Sequence, residues 1–215
     1  MLTNYQTIQG YGEETVIIKK SRFIGYALPV ETEEEAVRFI EGIRKKHWDA
    51  NHNCYAYQVG PHDEIQKSND DGEPSGTAGR PILEVIKKEG LKNVVVVVTR
   101  YFGGVLLGAG GLIRAYGQTA GTAIHAAGIV TRSLFQVVRV GIDYTWLGKV
   151  ENETLQAGFF IENTEYTDRV TVVALVPVEE VENYSKLITN ATNGQALIET
   201  GEEMFASVRD GKLVK

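Results

Sequence analysis

The sequence is short of three things: cysteine, long apolar runs and net positive charge. Its single cysteine, Cys54, has no partner for an internal disulfide, which agrees with a reducing compartment. No apolar run exceeds five residues, Val94 to Val98 being the most uniform, against the roughly 20 that cross a bilayer. The opening MLTNYQTIQGYGEE lacks a basic segment followed by an apolar one. A cytoplasmic location and no membrane partner are therefore expected. The formal charge of -6 excludes a protein that coats nucleic acid or an acidic membrane by bulk attraction. Its distribution says more than its total. Residues 1–134 hold 15 Lys+Arg against 15 Asp+Glu, and residues 135–215 hold 7 against 13, so the negative excess lies in the last third. A local basic patch in the first part remains open.

What is present supports a real core: 215 residues, 43% of them hydrophobic, a length above the usual single domain. ETVIIKKSRFIGYALPV reads as two strands around a Lys-Lys-Ser turn. Thr32 with Glu35 three residues on is a capping-box signature, and Ala36, Phe39, Ile40 and Ile43 recur at helical spacing to about His47. NHNCYAYQVG alternates as a strand, and Pro61 to Arg80 reads as one long polar loop. Pro81 suits a first helical turn, Ile82, Leu83 and Ile86 form its apolar face, and Gly90 stops it. The valine strand follows, then a helix from about Leu112 to Ala127. From Phe135 the pattern starts afresh: strand 136–143, helix 144–157, strands 159–165 and 168–176, helix 178–191, strand 195–208. That βαββαβ order is the ferredoxin-like split unit, so an α+β protein is expected with domains at 1–134 and 135–215.

Two glycine-rich stretches invite chemistry. VVVVVTRYFGGVLLGAGGLIRAYGQ places Arg100, Gly103, Gly104, Gly108, Gly110, Gly111 and Arg114 around a strand-to-helix turn, where bare backbone N–H groups and the helix dipole suit a phosphate or carboxylate. Arg114, Gln118 and Thr122 align along one polar helix face. The competing reading is that the glycines, Gly117 and Gly121 included, permit tight helix-on-sheet packing. The stretch is neither a Walker A loop nor a dinucleotide fingerprint, for it lacks the lysine and hydroxyl pair of the one and the third glycine of the other. Upstream, Ser75, Thr77 and Arg80 beside a helix start form a second candidate anion cradle. Asp70, Asp71 and Glu73 do not have calcium-loop spacing, so no metal and no cofactor is expected. His52 and Cys54 share a strand face, but a nucleophilic pair needs an oxyanion donor and an orienting group that the sequence does not identify; a small buried thiol is the plainer reading.

NDDGEPSGTAGRP followed by VVVVVTRYFGGVLLGAGGLIRAYG, with HNCYAY upstream, resembles the IMPACT/YigZ family over the whole chain in its bacterial two-domain form. The family motif falls here on Asp70, Asp71, Gly72, Glu73, Pro74, Ser75, Gly76, Thr77, Gly79, Arg80, Arg100, Gly103, Gly104, Gly108, Gly110, Gly111, Arg114 and Tyr116. The resemblance implies a ribosomal protein S-five domain 2-like N-terminal domain, a fold shared with a domain of elongation factor G. It also implies a ferredoxin-like C-terminal domain similar to that factor's last one. Eukaryotic members join the first domain to a different partner-binding domain and regulate translation by competing for the activator of an amino-acid-starvation kinase; this chain lacks that other domain. The family supplies no catalytic residues to carry over. The resulting expectation is a non-enzymatic nucleic-acid- or ribosome-associated protein that modulates translation. RNA or the ribosome would meet the first domain, with Tyr101, Phe102 and Tyr116 stacking on bases or filling core, and a protein partner the acidic second domain. The alternatives are a small-molecule enzyme that holds a phosphorylated or carboxylated ligand at the glycine loops, and a protein-interaction module.

Overall fold

The computed structural model describes residues 2–214 and divides the chain into two compact units, one holding Asn4–Thr131 and the other running from Arg132 onward. The first contains β1 (Asn4–Ile8), β2 (Gly12–Ile18), β3 (Ser21–Pro29), α1 (Glu33–Lys46), β4 (His52–Val59), β5 (Ile65–Asn69), α2 (Gly79–Lys88), β6 (Val94–Tyr101) and α3 (Ala109–Ala127). Its sheet runs β2-β3-β6-β4-β5, with every neighbouring pair antiparallel. The valine strand β6 lies at its centre. Val94, Val96 and Val98 pack with Ile82, Ile86, Tyr116 and Ile124 of α2 and α3, while Val95 and Val97 pack with Tyr26, Ile40 and Tyr57 on the α1 side. A strand covered on both faces has no solvent side to make polar, which is why its sequence does not alternate.

The capping signature forms much as read. Thr32 Oγ1 accepts the Glu35 N–H at 3.2 Å, and the Glu35 carboxylate accepts the Glu31 N–H at 2.7 Å, one residue before the usual reciprocal partner. The Pro61 to Arg80 stretch is not all loop, because β5 pairs with β4 from Val59↔Ile65 to Tyr55↔Asn69. Its sequence IQKSN buries almost nothing at the sheet edge, so no apolar alternation marks it. α2 and α3 run side by side in the same direction. Val85 lies against Gly117 and Gly121, and Glu89 approaches His125 at 4.0 Å. Both N-termini therefore emerge at the end of the sheet where β6 finishes.

The chain enters the second unit within β7 (Ile129–Ile142), followed by α4 (Leu147–Gln156), β8 (Phe160–Tyr166), β9 (Val170–Pro177), α5 (Val181–Ala191), β10 (Leu197–Arg209) and β11 (Lys212–Val214). The sheet order is β11-β10-β7-β9-β8. α4 and α5 cover the face made by Val138, Val140, Ile142, Val172, Ala174 and Val176. The whole is an α+β fold with two sheet-containing units. β1 and β11 escaped the sequence reading because each is five residues or fewer and lacks a run of alternating apolar residues.

Candidate functional site

The pairings Phe23↔Arg100 and His52↔Arg100 bring the start of β3, the start of β4 and the end of β6 together. The loop after β5 and the glycine loop after β6 both fold over that end. At its centre is Glu73, 8% exposed, whose Oε1 accepts from Arg100 Nη1 at 2.6 Å and from the Tyr116 hydroxyl at 2.7 Å. Arg100 is itself only 5% exposed. The sequence placed its guanidinium on an incoming anion, whereas the fold gives it an internal carboxylate. Tyr116 is likewise core, edge-on to Phe23, and burial pushes its hydroxyl pKa up so that it stays a neutral donor to Glu73.

The other two loop carboxylates are also used within the protein. Asp70 Oδ1 accepts the N–H groups of Ala78 and Gly79 at 3.0 and 2.8 Å, and its Oδ2 accepts that of Gly76 at 2.8 Å. Burial alone would raise its pKa, but the three backbone donors outweigh burial and leave the carboxyl below its ordinary value. The second anion cradle is thus filled by the chain's own aspartate, which caps α2. Within it, Thr77 Oγ1 donates to the Pro74 carbonyl at 2.6 Å, while Ser75 and Arg80 are exposed. Asp71 binds Arg44 at 2.8 Å and the Asn53 N–H at 2.7 Å. Its carbonyl lies 2.8 Å from His52 Nδ1. A carbonyl only accepts, so Nδ1 carries a proton, and Nε2 lies 3.8 Å from Glu73. Cys54 is fully buried and donates to the Asp70 carbonyl at 3.0 Å, and burial pushes its thiol pKa well up, the opposite of an activated nucleophile. Among the described residues no cluster of His, Cys, Asp and Glu has the arrangement to hold a metal ion.

The first glycine stretch divides by role. A Cβ on Gly103 would sit 2.1 Å from the Lys20 carbonyl, so this glycine lets the turn lie against the β2–β3 hairpin. Gly79 similarly meets the Asn69 backbone at 2.6 Å. Gly104, Gly108 and Gly110 face open space, and Gly104 and Gly108 have φ of 81° and 72°, where a side chain would be strained. Gly111 is nearer to Leu107, at 3.1 Å. Gly108 precedes α3 with no side-chain cap, and Arg114 is exposed in the second turn. Between the two loops lies a cavity of about 480 Å³ lined by His52, Glu73, Arg100, Phe102, Leu106 and Ala109, with Asn51, Leu107 and Leu112 among its other walls. The sequence reading left out Lys19 and Lys20, both exposed in the hairpin turn against which Gly103 packs. The Lys-Lys-Ser turn was visible, but its proximity to the glycine loop comes from the β3–β6 register.

These features define a two-unit α+β protein whose first unit gathers two loops around a buried glutamate–arginine pair and opens a glycine-started helix to solvent. Residues 19–124 match the Impact N-terminal domain, and residues 140–195 match a domain of unknown function (DUF1949). IMPACT family member YvyE of Bacillus subtilis (strain 168) is 49% identical over 202 residues, 94% of this chain and 93% of that one. IMPACT family member YigZ of Escherichia coli (strain K12) is 34% identical over 86% of this chain and 92% of its own length. Protein IMPACT of Oryctolagus cuniculus is 36% identical over 42% of this chain but only 29% of its own. A crystal structure described as that of a hypothetical protein superposes with TM-score 0.60 at 30% identity, covering 94% of this chain and 99% of that one. This chain belongs to the IMPACT/YigZ family.

Proposed function

We propose that the chain is a non-enzymatic, cytoplasmic RNA-binding protein that acts on or beside the ribosome and modulates translation. The observation that carries this reading is an asymmetry of charge at the site end of the first unit. The loop acids Asp70, Asp71 and Glu73 are spent on backbone amides, Arg44 and Arg100, whereas Lys19, Lys20, Arg80 and Arg114 are exposed there. Backbone amides at the start of α3 add donors for phosphate oxygens, and Phe102, 45% exposed, offers a ring face for a base. A chain of net charge -6 thus has a local footprint suited to a phosphate backbone.

The first unit is read as ribosomal protein S-five domain 2-like. The second is read as ferredoxin-like, supported by its βαββαβ succession and the sheet order β10-β7-β9-β8. Its exposed Glu199, Glu202 and Glu203 suit a basic protein rather than phosphate. The test is co-sedimentation with ribosomes across a salt series, wild type beside Lys19→Ala/Lys20→Ala/Arg114→Ala. Binding should fall as salt rises, and each lost phosphate contact should flatten the log–log slope by about 0.7–0.9. Absence of binding at low salt rejects the ribosomal reading. Arg100 is left in place, since removing it would strand a buried Glu73.

A further inference from the structure

The cavity beside the glutamate–arginine pair is unlike the exposed surface just described. We infer that it is a binding site for a small amphiphile, an oxyanion (phosphate or carboxylate) on an apolar or aromatic body. Three observations converge. The polar end is built from donors: α3 begins at Ala109 with no side chain capping it, and a helix start leaves its first N–H groups unpartnered within the helix. The second observation is the state of Arg100, which lines the same cavity. It is 5% exposed, and although Nη1 is satisfied by Glu73, its Nε has no acceptor. Buried guanidinium N–H groups without an acceptor are rare because desolvation is not repaid, and an entering oxyanion, after a small shift of the side chain, supplies one. His52 also lines the cavity, its ring orientation fixed by the Nδ1 bond to the Asp71 carbonyl.

The third observation concerns the apolar part of the lining: Phe102, Leu106, Leu107 and Leu112. Phe102 and Leu106 are 45% and 84% exposed, apolar surface that an entering ring or chain would remove from water. The volume of about 480 Å³ suits a metabolite-sized body and falls within the range of small-molecule sites. Because Glu73 already balances Arg100, the net attraction for the anion comes from the helix start, so the apolar body has to contribute much of the affinity.

The inference shares the α3 amides and Phe102 with the RNA reading but does not depend on it, and the test separates them. Phenyl phosphate, benzoate, inorganic phosphate and phenol are titrated calorimetrically into the full chain. Phenyl phosphate or benzoate should bind about tenfold more tightly than inorganic phosphate, the factor that roughly 60 Å² of buried apolar area supplies, and phenol should not bind measurably. Which of the two aryl anions binds identifies the oxyanion. Failure of both, or inorganic phosphate binding as tightly as phenyl phosphate, overturns the proposal. Ala109→Asp places a competing carboxylate at the cavity, where an acid in the first turn favours the helix, so the variant should keep its unfolding midpoint yet bind at least about tenfold more weakly. Ala109→Asn, uncharged and of similar size, should retain most binding. Unchanged affinity in Ala109→Asp counts against the site. Lys19→Ala/Lys20→Ala, outside the cavity, should weaken RNA binding and leave phenyl phosphate binding as it was.

Discussion

Glu73 and Arg100 meet at 2.6 Å where their side chains are 4% and 7% exposed, so each is the other's means of being buried as an ion. Glu73→Gln leaves the guanidinium uncompensated and should cost about 3–5 kcal/mol in urea unfolding. Glu73→Leu/Arg100→Leu should recover part of that loss because no buried charge remains. A double variant no more stable than Glu73→Gln would show that the pair matters through packing instead. His47 offers a second residue-scale test. Tyr101 donates to Asp49 at 3.0 Å, so it accepts from His47 Nδ1 at 2.8 Å, and the Tyr26 hydroxyl donates to Nε2 at 2.5 Å. A protonated ring would turn Nε2 into a donor facing that hydroxyl. Burial first, then Lys46 and Arg22, hold the His47 pKa below its ordinary value. With the folded pKa depressed, the unfolded chain binds the extra proton first as pH falls. The stabilisation is therefore present above about pH 6.5 and is lost on acidification through the folded pKa. Thermal unfolding from pH 7.5 to 5 should show this fall in wild type and a smaller one in His47→Gln.

At the scale of elements, the glycines have opposite roles within one loop and helix start. Gly103→Ala forces a Cβ onto the Lys20 carbonyl and should lower stability, whereas Gly110→Ala enters open space in a helical turn and should raise it by a few tenths to about 1 kcal/mol. Equal effects in urea unfolding would remove the distinction between packing and open glycines. Sequence alone could not make that distinction, because what Gly103 touches lies in a hairpin some 80 residues upstream. The same limit explains Arg100, whose partner Glu73 sits in another loop, and Asp70, which reads as a surface acid until α2 is seen to begin at its carboxylate. Signals internal to one element were legible: the Thr32 cap, the period of α1, the uniform valines of β6 and the strand–helix order of the second unit. β5 was not, since an edge strand of polar residues differs from loop only by its hydrogen-bonded neighbour.

For the molecule as a whole, charge and chain order run together. The first unit carries its exposed Lys19, Lys20, Arg80 and Arg114 at one end of its sheet, and the second carries Glu199, Glu202 and Glu203 on β10. Near neutrality of residues 1–134 and the acidity of the remainder were visible by counting. That the loop acids Asp70, Asp71 and Glu73 are engaged within the protein while Lys19, Lys20, Arg80 and Arg114 at the same end are exposed required the fold. If phosphate is bound only by that end, the acids of the second unit act on RNA through screened, long-range repulsion, which fades beyond about 8–10 Å at physiological salt. Glu199→Gln/Glu202→Gln/Glu203→Gln in the intact chain should then leave the slope of RNA affinity against salt unchanged, because the number of phosphates neutralised is the same. Lys19→Ala/Lys20→Ala/Arg114→Ala should flatten it. A steeper slope in the glutamine variant would mean that the second unit also touches the phosphate backbone and that its acids had been limiting that contact.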